Sequence, residues 1–123
     1  MSSHRSLAAW KEARKVSLAV IEASRKYWKP WASALFNQVL RSSSSVQLNI
    51  AEGSSYGPSK TYVRFLTIAY GSAIETIEVI ELLIDSNTIP DEFGRELLAN
   101  AGKSRQILVG LLKYHRPLTK GHR

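Results

Sequence analysis

Four consecutive serines, Ser42 to Ser45, form the densest set of hydroxyl nucleophiles in the chain. Serine attack on a carbonyl needs a neighbouring base, an orienting acid and a sharply presented hydroxyl, often on a Gly-x-Ser-x-Gly elbow. No such elbow surrounds the run, and serines inside a helix bond back to the preceding turn, so the run reads as packing. Glu75, Glu78 and Glu81 stand three apart, but carboxylate metal bundles add Glu-x-x-His pairs on two helices, and the chain contains none. These glutamates read as a solvated acidic edge, and no metal or cofactor is expected. His4 and His122 fall near the two ends, while His115 aligns with Leu108 and Leu111 near an expected helix end, where an imidazolium suits the negative pole of the dipole. With no evident acidic or histidine partner, His115 reads as a structural or capping residue. Gly53 to Ser59 holds two glycines without the Gly-Lys-Ser/Thr ending of a phosphate-binding loop. No catalytic residue is assigned, and an enzyme is not expected.

The chemistry that remains is electrostatic. The chain carries 17 Lys+Arg against 10 Asp+Glu, a net charge of +7, which favours polyanionic partners. Residues 1–31 hold seven basic and two acidic side chains, and residues 87–123 hold seven and three. Lys11, Lys15 and Lys26 near the start, with Lys103 and Lys113 near the end, are the candidate nucleic-acid contacts. They would hold phosphates without reading bases, since no base-reading motif is present. Trp28 and Trp31, separated by Lys29-Pro30, are candidates for stacking on bases.

Four segments of helical period must position these side chains. Leu7, Trp10, Ala13, Val16, Val20, Ala23 and Tyr27 form one stripe, with Lys11, Lys15, Glu22 and Lys26 opposite. Pro30 ends that helix, expected over 7–27. The second helix, over 34–52, buries Phe36, Val39, Ser43, Val46 and Ile50, with Gly53 as its C-terminal stop and Gly57-Pro58 as the turn. The third, over 59–85, is capped by Ser59 and carries Tyr62, Phe65, Leu66, Ala69, Ala73, Thr76, Ile80 and Leu83. As a buried aromatic, Phe65 would cost about 3–5 kcal/mol if cut to alanine. Val63, Ile74 and Leu82 lie on its other side, implying a second buried contact, and with Leu18 they are the expected oligomer interface. The fourth helix, over 91–116, buries Leu97, Ala101, Ser104, Leu108 and Leu112 and ends before Pro117. With no alternating strand pattern, the expected fold is all-α, an antiparallel up-down-up-down four-helix bundle in a single domain over 1–123 with short basic tails.

Composition agrees. A chain of 123 residues supports one core, and a hydrophobic fraction of 44% argues against disorder. Cysteine is absent, which excludes disulfides and thiolate metal sites. No uncharged run approaches the roughly 20 residues of a membrane span, and no apolar signal segment is visible, so a cytoplasmic location is expected.

The stretches Asn49-Ile50-Ala51-Glu52-Gly53 and Arg64 to Glu75 resemble the two signature stretches of the 23S ribosomal RNA intervening-sequence protein family of bacteria. Leu7-x-x-Trp10-Lys11-x-Ala13 is similar to the family's opening helix and Ile107 to Leu112 to its closing one, so the likeness spans nearly the whole chain. Where the family usually has a mixed basic and small-residue stretch, Arg41-Ser42-Ser43-Ser44-Ser45-Val46 keeps one arginine. The resemblance implies a four-helix bundle and a ring-like homo-oligomer, a pentamer. It also implies kinship in fold with the accessory variability protein of diversity-generating retroelements, and so a reverse transcriptase as a candidate partner. Two functions of different class follow. One is a non-catalytic, oligomeric nucleic-acid-binding accessory protein, resting on the basic charge. The other is a structural homo-oligomer scaffolding a protein partner without a nucleic-acid role, resting on the surplus apolar surface of the third helix.

Overall fold

The structure, a computed structural model, describes residue 4 and residues 7–120, with side chains to Arg116. Most of the expected N-terminal tail and the last three residues, His122 among them, lie outside the described residues. Four helices follow one another: α1 (Ala8–Tyr27), α2 (Ser33–Ser54), α3 (Lys60–Asp85) and α4 (Asp91–Lys120), with a 3-10 turn at Pro30–Ala32 before α2. Each helix packs on its sequence neighbours and α1 closes against α4, while the diagonal pairs α1/α3 and α2/α4 do not meet. No strand occurs among the described residues.

The core proves the antiparallel order. One cluster joins the end of α1 (Val16, Val20, Ala23), the start of α2 (Phe36, Val39), the end of α3 (Val79, Ile80, Leu83) and the start of α4 (Leu97, Ala101). The other joins the start of α1 (Ala9, Trp10, Ala13), the end of α2 (Val46, Ile50), the start of α3 (Tyr62, Leu66, Ala69) and the end of α4 (Leu108, Leu112). Only alternating helix directions bring those halves together. We call these the upper and lower cores. Between them lies a waist of small and hydroxyl side chains. Ser17 Oγ donates to the Ser43 carbonyl (3.1 Å), Thr76 Oγ1 lies 2.9 Å from Ser42 Oγ, and Ser45 and Ser72 share a bond of 2.9 Å. A void of about 10 Å³, lined by Ser43, Ala73, Thr76 and Ser104 among others, remains there, at the threshold for one water.

Ser59 caps α3 as expected, accepting from the Tyr62 N–H at 3.1 Å. Three expectations need correction. Gly53 does not stop α2, which runs on to Ser54. It is buried against α3 so closely that a Cβ there would stand 2.6 Å from Phe65 Cβ, so its role is close helix approach, and the turn glycine is Gly57 at φ 65°. Phe65 is only half-buried and stacks on the exposed Tyr56 at 5.6 Å, because it flanks the α2–α3 seam rather than facing the centre. Finally, α4 continues past Pro117 to Lys120. A proline inside a helix removes one backbone bond and crowds the carbonyl four residues back, and the helix nonetheless continues to Lys120.

Candidate nucleic-acid interface

At about 100° per residue, Lys11, Arg14, Leu18 and Arg25 fall along the ridge of α1 opposite Val16 and Val20. All four are exposed, and the ridge from Lys11 to Arg25 is about 21 Å long at 1.5 Å per residue. The Arg14 guanidinium sits over the Trp10 ring at 5.7 Å, which orients it without neutralising it. Arg14 and Arg25 escape a reading of the sequence by lysines alone. Their signal is the same wheel that places Lys11.

The five lysines singled out from the sequence are all exposed, but they are not equivalent. Lys15 pairs with Glu12 at 3.3 Å and Lys26 with Glu22 at 3.4 Å. Lys103 reaches across from α4 to Glu12 at 3.9 Å, and the Glu12 side chain is only 13% exposed. Glu12 therefore ties α1 to α4 and takes up part of the charge of Lys15 and Lys103. Lys113 borders a separate groove of about 150 Å³ between α3 and α4, with Tyr70, Val109 and Arg116. Thus Lys15 and Lys103 come together at Glu12 on the α1–α4 seam, Lys11 stands on the outer ridge of α1, Lys26 at the upper end, and Lys113 faces α3.

The acidic edge lies on the far side of the bundle. Glu78, Glu81 and Asp85 are exposed on the upper half of α3 beside exposed Ile74 and Leu82, whereas Glu75 is partly buried and accepts from Gln38 Nε2 at 3.2 Å. Of the expected interface residues, Leu18, Ile74 and Leu82 are exposed, and Val63 packs partly against the lower core. Leu18 sits in the middle of the basic ridge. Exposed Ile21, Leu48 and Ile68 are further apolar positions that the sequence reading passed over.

The other chemical candidates resolve locally. Ser42, Ser43 and Ser44 donate to carbonyls three residues back, and Ser45 pairs with Ser72. His115 is buried between Tyr62 and Tyr114, with ring centroids 4.7 and 5.0 Å away, and its Nδ1 has no hydrogen-bond partner. Burial holds its pKa below the ordinary histidine value. It does not cap α4, because the helix continues beyond it. Among the described residues, no group of three or more His, Asp or Glu could hold a metal ion, and no helix is long and apolar enough to cross a membrane.

No curated protein matches the chain. Among solved structures, the fold is similar to that of a protein of unknown function from the S23 ribosomal protein family of Bacteroides thetaiotaomicron. The TM-score is 0.77 at 20% identity, covering 86% of this chain and 99% of that one. At that identity the likeness carries the four-helix fold alone. Neither this structure nor the matching family is described as a retroelement protein. The family assignment comes from the sequence profile of the 23S rRNA-intervening sequence proteins, which matches residues 5–110 and takes in all of α1, α2 and α3 and most of α4. The chain therefore belongs to the 23S rRNA-intervening sequence protein family.

Proposed function

We propose that the protein is a non-catalytic, oligomeric nucleic-acid-binding accessory protein whose contact surface is the outer ridge of α1. The observation that carries this reading is the row Lys11, Arg14 and Arg25, exposed on one ridge and without a carboxylate partner among the described residues. The acidic patch lies on the diagonally opposite helix, so a polyanion approaching α1 meets little repulsion. Contacts of this kind hold phosphates and release counterions, so affinity falls steeply with salt.

The test is a titration of labelled structured RNA and duplex DNA at 50 and 200 mM salt. Exchanging Lys11 and Arg14 for glutamate is expected to weaken both complexes by at least tenfold, while the same exchange at Lys113 has a smaller effect. Absence of binding at 50 mM salt removes this reading.

A scaffold for a protein partner is the second reading. Exposed Ile74 and Leu82 among Glu78, Glu81 and Asp85 support it, because that surface suits the basic, Leu18-bearing ridge of another copy. Such a head-to-tail contact gives a ring where the rotation between copies closes and an open filament where it does not; the pentamer implied by the resemblance is the closed case.

A further inference from the structure

The connection between α1 and α2 exposes two indoles where a fold of this size has every reason to hide them. Trp31 is 67% exposed and Trp28 48%, whereas Trp10, the third tryptophan, is 7% exposed in the lower core. The segment is nonetheless well anchored. The Trp28 N–H bonds the Ser24 carbonyl at 3.2 Å, Pro30 opens the 3-10 turn, the Ala32 N–H bonds the Lys29 carbonyl at 3.0 Å, and Ala32 itself is buried in the upper core. Neither exposed indole contacts another ring or a cation among the described residues. Along the chain, residues 23–51 hold Arg25, Lys26, Lys29 and Arg41 and no carboxylate. Lys26 is paired with Glu22, and the first turn of α4, with Asp91 and Glu92, lies at the same end of the bundle, which leaves Arg25 and Lys29 as the cations nearest the indoles in sequence.

We propose that Trp28 and Trp31 are a stacking platform for unpaired bases, so that the basic ridge of α1 takes single-stranded nucleic acid in preference to duplex. The inference rests on the nucleic-acid reading above and narrows it to a strand form. Duplex bases are already stacked on one another and offer an indole little, whereas each unpaired base presents a free face, and stacking of this kind tolerates any sequence. Arg25 and Lys29 beside the rings supply the phosphate contacts that hold the strand in place. An anionic membrane is the less suited occupant, because the exposed neighbours are Lys29, Pro30, Ala34 and Asn37 rather than the aliphatic side chains that an inserted surface needs.

The full chain is titrated at 50 and 200 mM salt with a twenty-nucleotide oligothymidylate, with a duplex of equal length and with phosphatidylserine vesicles, following both anisotropy and tryptophan emission. The single strand is expected to bind about tenfold tighter than the duplex and to quench the emission. Trp28→Ala with Trp31→Ala is expected to abolish the quench and the preference, and Trp28→Phe with Trp31→Phe to restore the preference. Circular dichroism of the variants confirms that the helices are intact. If strand and duplex bind equally and the alanine variant binds both as well as the parent, stacking is overturned while phosphate binding by α1 stands. If nothing binds at 50 mM salt, both readings fall. A blue shift with vesicles alone, with no response to the strand, overturns the proposal in favour of a membrane surface.

Discussion

His115 is the side chain with the sharpest consequence for stability. It is buried in the fold, and that burial lowers its pKa. Below about pH 6.5 the unfolded chain therefore binds a proton that the native chain resists, and stability rises with pH through that window. The melting midpoint should fall as pH drops from about 7.5 towards 5, and His115→Phe should flatten that dependence, which a series of thermal melts checks. At the same scale, Phe36 and Phe65 separate what a stripe can and cannot tell. Phe36 is 0% exposed in the upper core, so Phe36→Ala should cost about 3–5 kcal/mol. Phe65 is half-buried against Tyr56, and Phe65→Ala should cost about 1–2 kcal/mol. Denaturant melts of the two variants check the order. Periodicity assigned both to one core, because a stripe does not show that Phe65 stands at its edge, on the α2–α3 seam beside Gly53.

At the scale of the elements, the four helices and their order were legible, since stripes such as Ala13, Val16, Val20 and Ala23 admit only one period and Ser59 carries its own capping chemistry. The exact ends were not. Gly53 reads as a stop from sequence alone because close approach to Phe65 is a fact about another helix. Pro117 reads as a stop because its local cost is visible in the sequence, yet the helix continues to Lys120. The α3–α4 turn holds a position that no motif announced. Asn87 adopts φ 58°, and the N–H groups of Asn87 and Thr88 return to the Ile84 and Leu83 carbonyls at 3.0 Å. Glycine adopts that conformation without the steric penalty of a side chain. Asn87→Gly should therefore be neutral or stabilise by a few tenths of a kcal/mol, whereas Gly53→Ala should destabilise by about 1–3 kcal/mol through overpacking. Comparison of their denaturation midpoints with that of the parent checks both signs.

For the whole molecule, charge segregation organises the surface. The basic ridge on α1 and the acidic upper half of α3 stand on a diagonal of the bundle, so copies aligned head to tail bring opposite signs and the exposed Leu18, Ile74 and Leu82 together. Ile74→Asp should reduce the assembled mass in light scattering more than Thr67→Asp, and a parent that stays monomeric at tens of micromolar removes the ring. Excess nucleic acid should shift the same equilibrium towards smaller species if both partners claim α1. The net charge and the candidate lysines were plain in the sequence. That Glu12 would bind two of those lysines was not, since it needs α1 and α4 side by side.

The waist carries a consequence for how the fold chooses itself. Along the α2–α3 seam, Gln38 meets Glu75, Ser42 meets Thr76, and Ser45 meets Ser72. Sliding one helix past the other by a turn would still bury leucine on valine at either end, at little loss. It would also break all three pairings, each worth about 0.5–1.5 kcal/mol, although the hydroxyls of Ser42 and Thr76 would keep their bonds to the Val39 and Ser72 carbonyls. The oily halves of the bundle supply adhesion that is nearly indifferent to alignment, and the thin polar band between them acts as a vernier that admits one setting.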